Sequence, residues 1–214
     1  MRAMTLALAA SLAIFMAPAG LALPGAARAA SFDCAKASAP TDVAICSNPT
    51  LSAMDSQLGL AYAQRLATNP AWRQVERGWL VARNDGCGHS VGCLSTFTAL
   101  WTRTLQGGAM PPNLMPLNPG ACALTAVKQV ETRLDGMPGS GSAVEETNTG
   151  YQVSYDTLAA VDNSRRGDPL LMCLVSLPSH CPAGDDRGKV YAVANLRTLK
   201  GWSLPDSEHD CGGA

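Results

Sequence analysis

Charge of one sign, histidine and reactive-cysteine motifs are all scarce in this chain, and each shortage removes a class of function. Sixteen Lys+Arg stand against 17 Asp+Glu over 214 residues, a formal net charge of −1. The basic surplus of a nucleic-acid binder is therefore missing. No Cys-x-x-Cys occurs, and Cys87 and Cys93 are spaced too widely for a thioredoxin-like dithiol. The histidines are His89, His180 and His209. His180 and His209 could be written with Cys173 and Cys181 as a zinc site, but that cysteine spacing is not the tight one of structural zinc modules. Ser176, His209 and Asp162 could be written as a triad, yet no strand–Gly-x-Ser-x-Gly–helix context accompanies them. The turn Gly184-Asp185-Asp186-Arg187-Gly188 carries two adjacent carboxylates, far short of a calcium loop's set of oxygens, and reads as a hairpin tip. No repeat and no low-complexity tract is present. The residues call for no cofactor, no metal and no catalytic group.

What the chain has is an export signature. Arg2 precedes an uncharged run of Ala, Leu, Ile, Phe and Met, and Ala27-Arg28-Ala29 closes it with an A-x-A pattern. That order is a secretory signal peptide. A transmembrane anchor is the weaker reading, because Pro18, Gly20, Pro24 and Gly25 follow an apolar core shorter than a span of about 20 residues. Lipid attachment at Cys34 is weaker still, since Ser31-Phe32-Asp33 precede it. Cleavage is expected after Ala29, leaving a periplasmic or secreted product with no stable membrane anchor. Loss of Arg2 and Arg28 moves the formal charge from −1 to −3.

All eight cysteines follow that site. In an oxidising compartment they read as up to four disulfides, which short modules with small cores need. The run GGAMPPNLMPLNP at 107–119 cannot hold a regular helix or a central strand and reads as a linker or long loop. It divides the cysteines evenly: Cys34, Cys46, Cys87 and Cys93 in 30–106, then Cys122, Cys173, Cys181 and Cys211 in 120–214.

The expected fold class is α+β. Leu51, Met54, Leu58, Tyr62 and Leu66 fall on one helical face, with Thr50 or Asn48 to cap it. Asn69-Pro70 ends that helix and starts one with Trp72, Val75, Trp79 and Ala82 inward. A third runs from Val91 or Gly92 with Leu94, Phe97, Trp101 and Leu105 inward, and Pro40–Cys46 can form short helical turns. The first half thus reads as an antiparallel helical hairpin closed by a third helix. The second half is expected to be a small antiparallel β domain, with strands at 127–134, 151–155, 170–177 and 190–197 and the option of a helical turn within 156–163.

Several stretches of the first half together resemble a known family. FDCAKASAPTDVAIC at 32–46, LSAMDSQLGLAY at 51–62, WLVARNDGC at 79–87 and then Cys93-Leu94 resemble the N-terminal domain of the LprI-type bacterial lysozyme inhibitors, over residues 32–105. The resemblance implies an exported protein that inhibits animal-type lysozyme. Residues 120–214 carry no pattern assignable to a second inhibitor domain.

Within an antiparallel hairpin, Asp55 early in one helix and Arg83 late in the next become neighbours, which suits a fold-fixing ion pair; a partner-facing patch is the alternative. Trp72 and Trp79 share one face and are expected in the core, with an interface as the alternative. The same antiparallel geometry favours bridges between the pairs Cys34/Cys46 and Cys87/Cys93, in either combination, over local 34–46 and 87–93 bridges. Charge sorts unevenly. Residues 30–106 carry six Lys+Arg and five Asp+Glu, whereas residues 107–214 carry eight and twelve. An acidic second half can steer a cationic partner such as an animal lysozyme. The expectation is a non-enzymatic lysozyme-binding protein; a cell-envelope structural or interaction module without that activity is the alternative. No stretch singles out the contacting surface.

Overall fold

The computed structural model describes residues 30–108 and 110–213, so the expected signal peptide at 1–29 lies outside the described residues. The chain is α+β. After a 3-10 turn at Cys34–Lys36 come α1 (Pro40–Ser47), α2 (Pro49–Thr68), α3 (Trp72–Cys87) and α4 (Val91–Leu105). Asn48 supplies the cap of α2, its side chain accepting from Leu51 N at 3.0 Å, with Pro49 in the first turn where its missing N–H costs nothing. Asn69 then breaks the helix and accepts from Ala71 N.

The second half is a curled antiparallel sheet of β1 (Cys122–Thr132), β2 (Ser142–Glu146), β3 (Tyr151–Ser154), β4 (Pro169–Ser176), β5 (Val190–Asn195) and β6 (Lys200–Pro205), ordered β3-β2-β1-β4-β5-β6. A single helical turn, α5 (Ala159–Asp162), interrupts it. The curl brings β3 toward β6, and Gln152 joins the two without a ladder. Its amide donates to Tyr191 O (2.8 Å) and Leu204 O (3.0 Å), and its carbonyl accepts from Trp202 Nε1 (2.9 Å). A fully buried amide with both ends bonded carries no desolvation debt.

Strands β4 and β5 are buried on both faces. Leu170, Met172, Leu174, Tyr191 and Val193 face the sheet's own interior with Trp202 and Leu204. Leu171, Cys173, Ala192 and Ala194 face the opposite way and join one core with Trp79, Phe97 and Trp101 of the helices. The two halves therefore share a core. Helix α3 makes this possible: it packs on β4, β5 and β6, while α2 packs chiefly on α4. The expected hairpin of α2 with α3 is thus opened, because the apolar face of α3 meets the sheet as well as the helices.

Small residues set that approach. A Cβ on Gly86 would lie 2.8 Å from both Ala192 Cβ and Val175 Cγ2, and one on Gly78 would run into the Leu196 side chain. Residues 112–119 of the expected linker are docked along the sheet. Asn113, at φ 53°, takes hydrogen bonds from the Thr125 and Thr147 hydroxyls, and Gly120 N donates to Leu174 O.

All eight cysteines are bridged: 34–46, 87–93, 122–173 and 181–211. This corrects the pairing favoured from helix geometry, in which Cys34 and Cys46 would meet Cys87 and Cys93. The 3-10 turn folds back over α1 and brings the Cα atoms of Cys34 and Cys46 to 5.7 Å, while the turn at Gly88 brings Cys87 and Cys93 to 5.4 Å. The two local pairs still lie side by side, since Thr41 Oγ1 donates to Gly88 O at 2.7 Å.

Replacing Gly86 by Ala should lower the melting temperature even though Ala is the better helix former. Overpacking against Ala192 and Val175 costs about 1–3 kcal/mol, against about 1 kcal/mol gained in propensity. Gly92→Ala in α4, where a Cβ meets nothing within 4 Å, should leave stability equal or higher. Thermal denaturation of the two variants beside the parent checks the contrast.

Candidate functional site

A cleft of about 400 Å³ opens between the segment Ser31–Phe32, α1, α2 and α3. Its floor is charged. Arg83 on α3 is 3% exposed, with Nη1 3.8 Å from Asp55 Oδ1 and Nη2 4.0 Å from Asp42 Oδ1. Its Nε and Nη2 donate to Asn84 Oδ1 at 3.1 and 3.0 Å, and its guanidinium stands 5.2 Å over the Trp79 ring. Asp55, buried on α2, turns its other oxygen to Ser31, accepting from the backbone N (2.8 Å) and from Oγ (2.5 Å). Glu76, one helical repeat before Arg83 on α3, is buried too and accepts from Trp101 Nε1 at 2.7 Å.

Three carboxylates thus share one buried cation. Burial lowers the Arg83 pKa, and Asp55, Asp42 and Glu76 oppose that shift; an Arg stays charged in any case. Burial pushes Glu76 up to about 7 against the pull of the Trp101 N–H and Arg83, and repulsion from Asp55 adds to the rise. Aromatic rings wall the far side of this network. Trp79 stacks on Trp101 with centroids 5.5 Å apart at 4°, and Trp72 tilts against Trp101 under the Arg65 guanidinium. Trp79 is fully buried and Trp72 partly so. The rim is apolar, with Leu80 37% exposed.

Of the residues singled out from sequence, Asp55 and Arg83 meet here. Glu76 and Asp42 complete the cluster and were missed. Glu76 sits four before Leu80 and seven before Arg83 on the same helix, so the helical spacing was the available signal. His89 lies in the exposed turn between the bridged Cys87 and Cys93. Cys173 and Cys181 are committed to Cys122 and Cys211, so neither sulfur is a free thiolate beside His180 or His209. Asp162 accepts from Ser142 Oγ at 2.6 Å, and no hydrogen bond joins it to Ser176 or His209 among the described residues. Arg187 and Asp185 pair within the 184–188 turn. Comparison with protein-family models, curated proteins and solved structures returned no match.

A second buried acid lies away from the cleft. Glu146, at the end of β2, has neither carboxylate oxygen hydrogen-bonded among the described residues, and burial raises its pKa to about 8.

Both acids bind a proton more tightly folded than unfolded. Their stabilisation is complete below the ordinary value of 4.5 and is lost as pH climbs through about 7 for Glu76 and about 8 for Glu146. Stability should therefore fall between pH 5 and 8 by about 3 kcal/mol through Glu76 and about 4 kcal/mol through Glu146, at about 1.4 kcal/mol per pH unit up to each folded value. Glu76→Gln should flatten the part of the decline that ends near pH 7, as chemical denaturation across that range can show. Arg83→Ala should cost about 3–5 kcal/mol, because it leaves Asp55 buried without its cation; a melting temperature equal to that of the parent would refute this.

Proposed function

We propose that this is an exported, non-enzymatic lysozyme-binding inhibitor whose helical half meets its partner around the Arg83 cleft. One observation carries the reading. The stretches that resemble the LprI-type inhibitors, 32–46, 51–62 and 79–87, supply every lining residue of the cleft except Ser31 and Glu76. In the fold, segments distant in sequence become one surface. The four disulfides fit an oxidising compartment, periplasmic or extracellular, and no helix among the described residues is long and apolar enough to cross a membrane.

Inhibition of this kind needs no chemistry from the inhibitor. A rigid surface set against the lysozyme cleft excludes the polysaccharide. The cleft rim offers apolar contact through Leu80, and Asp42, part-exposed at its edge, presents a carboxylate. The acidic second half adds long-range attraction for a strongly cationic partner, which speeds encounter and weakens with salt.

A turbidity assay with residues 30–214 and an animal-type lysozyme tests the proposal. Lysis should slow at micromolar inhibitor, and Leu80→Asp should weaken inhibition by about tenfold or more with little change in melting temperature. Full lysis at micromolar excess of inhibitor would overturn it and favour the envelope interaction module.

A further inference from the structure

The cleft has a built seat for the residues that begin the expected mature chain. Ser31 places its N–H and its hydroxyl on one oxygen of Asp55. One helical turn on, Gly59 leaves room for it, since a Cβ there would lie 2.8 Å from Ser31 Cβ. A glycine in the middle of a 20-residue helix weakens that helix, and this contact is what the position accommodates. Ala30, the residue before, is itself buried. The charged groups facing this seat are Asp42 from α1, Asp55 from α2, and Glu76 and Arg83 from α3, with Tyr62 also lining the cleft. Three acids therefore face one cation.

We propose that removal of the leader completes this cluster: the α-ammonium of Ala30, created by cleavage after Ala29, becomes its second cation and locks the N-terminal segment onto α2. The step rests on the expected cleavage site. A leader peptidase adds water across the Ala29–Ala30 peptide bond; the C–N bond breaks, the released leader takes the carboxylate and Ala30 takes the ammonium. Backbone geometry keeps neighbouring amide nitrogens about 3–4 Å apart. Ser31 N is 2.8 Å from Asp55 Oδ2, so the new charge arises within about 7 Å of that carboxylate, and the proposed pair requires a rotation about Ala30 to close the remaining distance. Before cleavage the same nitrogen is a neutral amide. The chain is thus tightened after export and not before it.

The sign of the pH dependence follows. A carboxylate neighbour raises the folded pKa of an α-amine above its unfolded value near 7.7–8.0, so the stabilisation is full below that value and is lost as pH rises through the folded pKa. Four preparations of the whole secreted chain decide the matter: one starting at Ala30, one extended by Gly-Ser before Ala30, and each of these two carrying Asp55→Asn. At pH 6.5 the free-terminus form should melt about 3 °C or more above the extended form. The gap should close by pH 10, and Asp55→Asn should abolish it. NMR titration of the Ala30 amine in the unsubstituted chain gives a readout that needs no variant to fold, and a pKa clearly above 8 is expected. Equal melting of the two termini at pH 6.5, or an amine titrating at or below 8, overturns the proposal. Mass spectrometry showing a different mature terminus overturns it separately, without bearing on lysozyme inhibition by residues 30–214.

Discussion

Helix α3 is held on two sides at once, and the rest of the molecule depends on that. One side lies against β4, β5 and β6 at the close distance that Gly78 and Gly86 allow over Ala192 and Ala194. The other side carries Glu76, Leu80 and Arg83 into the cleft. Core packing and cleft geometry are therefore coupled through one rigid rod. A shift that relieved a clash with the sheet would move Arg83 relative to Asp55, and their 3.8 Å separation leaves little slack before the pair dissolves.

The charges in the cleft explain why such a rod is needed. Moving a guanidinium out of water costs several kcal/mol, and an ion pair returns it only with good geometry and added hydrogen bonds. Arg83 lies just beyond hydrogen-bond distance of Asp42 and Asp55, but it has Asn84 and the face of Trp79. Glu76 holds its proton to about 7 and so avoids a third full negative charge at modest pH. Such a cluster is poor as a source of stability and good as a specifier of one arrangement. The apolar pairs of Trp79, Trp101 and Phe97 behind it supply the burial that stabilises the fold.

How much of this was legible in the sequence follows from which signals are local. The spacing Leu51, Met54, Leu58 marks α2, and Asn48 marks its cap, because both act within one or two turns. Strand β4 was legible for the opposite reason: LLMCLV is continuously apolar, as a strand buried on both faces must be. Strands β2 and β6 escaped. SAVEE carries two adjacent acids, one of them the buried Glu146, and KGWSLP contains Gly and Pro, so neither shows clean alternation. The Asp55–Arg83 neighbourhood could be inferred from helix order, but the local 34–46 bridge could not. It depends on a 3-10 turn too short to leave a period.

The covalent and non-covalent frameworks divide the molecule differently. Every disulfide closes inside one half, so the bridges alone would describe two independent modules. The core contradicts them: Leu171, Cys173, Ala192 and Ala194 from the sheet are buried with Trp79 and Phe97 from the helices. Cutting at 107–119 would expose both surfaces, and the severed helical half would lose the face on which α3 rests. This gives residues 120–214 a part in any binding at the cleft although they supply none of its lining. They form the backing that fixes Arg83, Glu76 and Leu80 in place. A partner pressed against α3 is resisted by a sheet whose closure runs through Gln152 to Tyr191, Trp202 and Leu204. Rigid presentation lowers the entropic cost of association, so a partner docking at the cleft as proposed would gain affinity from a second half that it does not touch.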